Sequence, residues 1–320
     1  MGYGSSGGVL PSEMAEVQAR SFLNMMKIAV NGALAGQLPF ADGFLDAFID
    51  SSGVDGASST TESYDAANDL YKMDTVFTDQ LTGGTPSQDD TQVGHEAALA
   101  CDDNDATYAQ ASGTDAWWWK YDFGAGNEKT LTELGFKSHA SGAIGVFKLQ
   151  GSNNDADWDD IISDTGANND NWQYFSGTNT TAYRYYRIYV GTNYDGGAAN
   201  RPVVCEFMVG VPNTGFTLVS NNYTADAEDP AEAKPFLFVD YNGESITLNT
   251  DILAYISMDN GSNFEQFTLT DGGLYEADHH ILTADDLSLT AQGNKEMVLK
   301  FVAANSKDVY LEAWGASWRW

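Results

Sequence analysis

Apolar and polar residues alternate in short runs over most of the chain after residue 100. Residues 117–124 (WWWKYDFG), 147–152 (FKLQGS), 183–190 (YRYYRIYV) and 205–209 (CEFMV) each keep a period of two and are bounded by Gly, Asn or Asp. That period predicts strands with one face buried. In the first run Trp117 and Trp119 share a face and Trp118 takes the other. Further strands are predicted at 216–219, 236–239, 245–248, 253–258, 265–269, 297–303 and 309–314, with turns at Tyr241-Asn242-Gly243 and Asp259-Asn260-Gly261. The residues on either side of Asp259-Asn260-Gly261 read as a hairpin.

The first forty residues follow a different rule. Ala15, Ala19, Phe22, Met26, Ala29 and Ala33 recur at 4-3-4-3-4 spacing, widened by Leu23, Val30 and Leu34. This predicts a helix over 11–37, begun by Pro11 and Ser12, with Glu13 and Glu16 at its positive end. Its Ala-rich seam either packs on its own domain or meets copies of itself or a partner. Small side chains gain little at ~25 cal/mol per Å² buried, so either contact needs support from elsewhere. The Gly/Ser arm 1–10 has no core of its own. In 38–85, Pro39 and Gly43 end the helix. Phe44, Leu45, Phe48 and Ile49 then interleave with Asp42, Asp46 and Asp50, and a turn-rich stretch follows. The expected organisation is therefore mainly β. An N-terminal arm and helix (1–37) and a β-rich connector (38–85) precede two β-sandwich domains, 86–211 and 212–320.

Charge narrows the partners. Among 320 residues, 15 are Lys or Arg and 46 are Asp or Glu, a formal net charge of −31. Such a chain is a poor ligand for nucleic acid or an anionic membrane and a compatible one for cations. No apolar run reaches the ~18 residues of a membrane span. Residues 1–10 lack the basic start of an export signal, which predicts that the chain begins in the cytoplasm of the cell that makes it. Cys101 and Cys205 can pair only with each other, or remain two buried thiols. Catalysis is not expected. His279 and His280 are adjacent and face opposite ways, no nucleophile, zinc or phosphate-loop motif occurs, and acidic pairs such as Asp159-Asp160 arise by chance among so many carboxylates.

Five segments, in order, carry a family resemblance. Ala100-Cys101-Asp102-Asp103-Asn104-Asp105-Ala106-Thr107-Tyr108 resembles the first loop of discoidin (F5/8 type C) domains and family 32 carbohydrate-binding modules, written roughly A-x-D-G-D-x-x-T-x-W. Trp118 to Gly124 resembles the W-x-x-V-D-L-G strand. Phe147 to Ser152 with Trp158 resembles F-x-L-x-x-S…W. Arg184-Tyr185-Tyr186-Arg187-Ile188 resembles R-Y-V-R-I, and Glu206-Phe207 the closing acidic-hydrophobic pair. The resemblance implies a jelly-roll sandwich with ligand loops at one end and a structural Ca²⁺. It implies Asp102, Asn104, Thr107 and Glu206 as the metal's ligands, which suits an ion that takes six to eight oxygens. Here Asp103 stands for the usual Gly, Asn104 for an Asp and Tyr108 for a Trp. On the same alignment each cysteine precedes a proposed ligand, so the two would lie near each other. Members that bind sugars use loop aromatics and His, Arg or Asn, so His139, Trp172, Asn193, Tyr194 and Arg201, all in predicted loops, are candidate ligand contacts. No motif pins any of them.

Two further likenesses set the context. The segment around 42–73 is similar to phage tail and fibre proteins, and 216–320 is similar to a module that ends many phage structural proteins. Trp314, Trp318 and Trp320 are expected in its core or in a subunit contact. Together they imply a virion structural protein, a tail or head fibre or tip component assembled in the host cytoplasm. It would contact other virion proteins, form a homo-oligomer (a trimer by preference) and present the discoidin-like domain to a host-surface glycan. A decoration protein without a ligand and a free bacterial carbohydrate-binding protein are the alternatives.

Overall fold

A computed structural model of the chain describes residues 37–40, 43–113, 116–139, 142–192, 201–225, 229–289 and 295–320. Among them the regular structure is strand, apart from one 3-10 turn at Ala97–Ala100. The arm 1–10 and the helix expected over 11–37 fall outside the described residues except for Gln37. That residue opens the strand Gln37–Phe40, so the expected helix cannot include it. No helix among the described residues is long and apolar enough to cross a membrane.

The chain forms two compact units, residues 76–212 and residues 1–75 with 213–320. The segment expected as a connector is not a spacer, because it divides between them. Gly43–Asp46 pairs with the last strand, Tyr310–Arg319, from Gly43↔Ser317 to Asp46↔Trp314. The hairpin of Glu62–Asp65 and Leu70–Met73 joins the same strand at Leu311↔Tyr71. Thr78–Asp79 and Thr85–Gln88 belong to the middle unit. The reason is burial. Phe44, Phe48 and Tyr71 pack in one core with Leu237, Phe301 and Trp314, and an apolar segment with such a face open to it does not remain a linker.

The middle unit is an antiparallel sandwich of two five-stranded sheets. One runs Asp159–Thr165, Val146–Ser152, Tyr185–Val190, Trp117–Asp122, Thr85–Gln88. The other runs Trp172–Ser176, Glu133–Ser138, Val203–Val211, Thr78–Asp79, with Ala109–Gln110 also on Val203–Val211. The strand Trp117–Asp122 alternates as its sequence requires, with Trp117, Trp119 and Tyr121 inside and Trp118 on the outer face. Trp119 packs at a tilt against Phe207 (5.0 Å, 38°) of the opposite sheet, and its indole N–H donates to the Ala97 carbonyl at 2.8 Å. That bond fixes the 3-10 turn that leads into the acidic loop. Gly151 lets Tyr183 lie flat on its strand, since a Cβ there would fall 2.2 Å from the ring.

The outer unit is also a sandwich. A nine-stranded sheet has Tyr310–Arg319 between Gly43–Asp46 and Glu232–Asp240. A five-stranded sheet has Glu296–Ala303 between Phe216–Val219 and Ile252–Ser257. The hairpin expected around 259–261 forms, pairing Tyr255↔Gln266 and Ile256↔Glu265. Asn260 and Gly261 (φ 58° and 78°) supply its left-handed turn, as Asn242 and Gly243 (φ 49° and 76°) do for theirs. Residues 245–248 do not form the expected strand. Asp251 accepts the Thr247 amide at 2.8 Å and the Asn305 side chain at 2.9 Å, which folds the segment into a turn. Trp314 and Trp318 fill the core, whereas Trp320 remains 43% exposed.

Asp46 is fully buried in this core. One carboxylate oxygen accepts the amide of Phe48, which sits in the left-handed region (φ 52°), and the other is near the indole of Trp314 without the geometry of a full hydrogen bond. Burial pushes its pKa up to about 7. A folded-state pKa above the unfolded value means that the native state gains stability as pH falls from about 7 toward 4 and loses it as pH rises through 7. Asp46→Asn keeps the acceptor for Phe48 and removes the charge. Thermal melts should show the variant several degrees above wild type at pH 8, with the difference closing by pH 5.

Candidate functional site

The acidic loop and the last strand of the middle unit meet. Successive side-chain caps shape the loop. Asp102 accepts the Asn104 amide (3.1 Å) and Asn104 Oδ1 accepts the Ala106 amide (3.2 Å). The Thr107 hydroxyl lies 3.0 Å from both Asp102 oxygens and 2.8 Å from the Asn104 carbonyl, with one proton to share among them. Asp103 is left-handed (φ 57°), the conformation that a glycine supplies at no steric cost and that Asp tolerates better than most residues.

Glu206 reaches this loop by way of a register shift. The pairing of Val203–Val211 with Glu133–Ser138 slips between Val204↔Ser138 and Glu206↔Lys137, so Cys205 is an extra, bulged residue. The bulge breaks the alternation, and five consecutive residues from Val203 to Phe207 are buried. Glu206 Oε1 accepts the Asn104 amide at 2.9 Å. Burial, reinforced by the Asp102 charge, pushes the Glu206 pKa up to about 7. Among the described residues no basic side chain lies within ion-pair distance of Glu206. Lys137, its partner across the sheet, is committed to Asp105. Cys101 and Cys205 are both free thiols, and burial with the nearby carboxylates pushes Cys101 up to about 12.

A second cluster begins one residue beyond this loop. Tyr108 stacks on His95 (4.2 Å, 12°) and inclines toward His139 (5.2 Å, 37°). Nearby backbone pairings hold these segments together. His139 donates its amide to Val203, and Gly142 bonds back to both His139 and Val203. The loop at 92–95 is tied down by the bond from Gln110 N–H to the His95 carbonyl and by Arg201 on the Gln92 side chain. At position 142 a Cβ would meet the Arg201 carbonyl at 2.1 Å, so glycine is required for this crossing. Val93, 88% exposed, stands at the tip of the same loop. The half-buried rings and guanidinium make a polar-aromatic surface with hydrogen-bond donors close by.

Of the expected metal ligands, Asp102, Asn104, Thr107 and Glu206 lie together, although Asn104 meets Glu206 through its backbone amide and not its side chain. Of the expected ligand contacts, His139 and Arg201 belong to the second cluster. Trp172 stands on the strand Trp172–Ser176, where it stacks with Tyr174 (5.8 Å, 4°). Asn193 and Tyr194 lie outside the described residues. His95, Gln92 and the role of Tyr108 escape sequence reading. The one signal for them was the position of Tyr108, directly after a proposed ligand.

No family model matches the chain, and no curated protein matches it. Among solved structures, it is similar to chitosan-binding module 1 of a chitosanase/glucanase from Paenibacillus sp. IK-5 (18% identity, 41% of this chain and 98% of that one, TM-score 0.36). It is also similar to a family 32 module of Clostridium perfringens in complex with GalNAc-β-1,3-galactose (11%, 40% and 95%, TM-score 0.36). A third is the family 32 module of C. perfringens NanJ in complex with galactose (14%, 39% and 92%, TM-score 0.35).

The left-handed backbone at Asp103 gives a local test. Asp103→Gly should leave the melting temperature near that of wild type, whereas Asp103→Val should cost about 1–2 kcal/mol in a denaturant titration, because a β-branched residue is strained there.

Proposed function

We propose that the middle unit is a non-catalytic carbohydrate-binding module whose ligand rests on Tyr108, flanked by His95 and His139, with Arg201 as a hydrogen-bond donor. The observation that carries this reading is the convergence of these groups from four separate segments at the loop that follows Thr107. Aromatic faces suit the apolar faces of pyranose rings, and imidazole and guanidinium groups suit their hydroxyls. Ca²⁺ belongs to the same proposal. Asp102, Thr107 and Glu206 offer oxygen donors on two elements, and a buried carboxylate beside a second one, with no basic partner, fits a hard cation. When bound, the ion supplies the missing positive charge. The chain's own residues hold the loop and so set the place of Tyr108.

The wider setting of this reading is a virion protein that displays the module to a host-surface glycan. That setting rests on the sequence likeness of 42–73 and 216–320 to phage segments and on nothing in the fold. The site serves a free carbohydrate-binding protein equally well. Adsorption assays with particles lacking the protein separate the two.

On a printed glycan array the full chain should retain at least one class of glycan. Tyr108→Ala and Arg201→Ala should each reduce that binding about tenfold or more while the melting temperature stays within a few degrees. No retained glycan, or equal retention by Tyr108→Ala, overturns the binding reading. For the ion, saturating Ca²⁺ should raise the melting temperature of chelator-treated protein, and Glu206→Gln should abolish the increment. An identical melt with Ca²⁺ and with chelator removes the metal.

A further inference from the structure

The outer unit carries a cleft of about 470 Å³ on the exposed side of its five-stranded sheet. Val219, Val298 and Lys300 are part of its lining. The loop carrying Asp55 and Ser58 lies along one side, pinned to the edge strand by Asp55 N–H on the Val219 carbonyl (2.9 Å) and by the Thr60–Thr217 bridge. The hairpin tip with Asn260 and Phe264 lies along another.

Lys300 is the cation of this cleft. Lys72, Lys120, Lys137, Lys148 and Lys307 each hold a carboxylate. Lys300, like Lys129 and Lys234, forms no ion pair among the described residues, in a chain of net charge −31. Its ammonium instead lies 3.8 Å from the Phe264 ring centroid and 4.5 Å from that of Tyr255. Two aromatic faces hold a cation in place without neutralising it. Beside it, Asn222 Nδ2 donates to Asn260 Oδ1 at 3.0 Å and to a Glu296 carboxylate oxygen, which commits both Asn222 amide hydrogens and leaves those of Asn260 directed elsewhere.

We propose that this cleft is a second saccharide site, selective for a pyranose that carries a carboxylate, with Lys300 as the anion's partner and the Asn260 amide as a hydroxyl partner. A uronic acid and a sialic acid share that chemistry. The site is independent of the one at Tyr108, so either can fail without the other.

The test uses the full chain with Tyr108→Ala, which removes the first site. Glucuronic acid, N-acetylneuraminic acid and glucose are titrated by saturation-transfer NMR. One of the two acids should bind saturably and at least tenfold more tightly than glucose, and the affinity should fall as salt rises. Whichever acid binds identifies the source of the carboxylate. Lys300→Gln should reduce that affinity at least tenfold. Asn260→Asp, which adds a negative charge at a turn position that Asp tolerates, should reduce it severalfold and covers the case in which Lys300→Gln fails to fold. Absence of saturable binding by both acids, equal binding of glucose, or unchanged affinity in the folded variants overturns the proposal.

Discussion

A single bond between a buried carboxylate and a backbone amide 102 residues away organises the middle unit. Glu206 accepts the Asn104 N–H from within a strand, and the loop between Cys101 and Thr107 closes around that contact. Burying a carboxylate is costly unless something compensates it, and one amide hydrogen bond compensates only in part. The remaining cost explains the rest of the local design. The bulge at Cys205 aims Glu206 at the loop, the Asp102 and Asn104 caps turn amides inward, and Trp119 anchors the preceding 3-10 turn through Ala97. Tyr108 inherits its position from this chain of constraints, because it follows Thr107 with no intervening residue.

The outer unit depends on a different kind of closure. Its largest sheet is made from both sides of the middle unit's sequence, since Gly43–Asp46 and Leu70–Met73 lie on a strand that ends the chain. Residues 76–212 are thus an insertion. The chain leaves at Asp74 and returns at Asn213, whose side-chain amide donates to the Asp74 carbonyl at 2.9 Å. Ends held this close make a long insertion inexpensive, because closure entropy grows only slowly with loop length.

Much of this was legible in the sequence, and the failures share a cause. Strands at 216–219 and 297–303 show in the alternation because one face is buried and the turns are marked by Asn and Gly. The order of segments that ends in Glu206 was legible as well, since each segment is a local pattern. Residues 43–46 were misread because their partner strand lies more than 250 residues away, and local pattern carries no information about pairing at that distance. The segment 245–248 alternates like a strand, but Asp251 captures its amide. The cluster around Tyr108 draws one or two residues from each of four segments, and no single segment shows a signal. The bulge is invisible too, since nothing in Val203-Val204-Cys205-Glu206-Phe207 marks where the pairing slips.

The acidic composition acquires a sharper meaning once the buried charges are located. Most of the carboxylates are at the surface, where water screens them and they add little to fold stability. Asp46 and Glu206 are exceptions, both almost fully removed from solvent and both with pKa values pushed up to about 7. They differ in what surrounds them. Asp46 sits among aromatic rings, with its second oxygen near the Trp314 indole, and there the carboxylate holds the left-handed backbone at Phe48. Glu206 has a second carboxylate and a hydroxyl nearby, on a loop open to solvent. The same penalty has a structural outlet in the first case, where protonation relieves it. In the second the buried carboxylate lies beside the charge of Asp102, which adds to the cost of its burial.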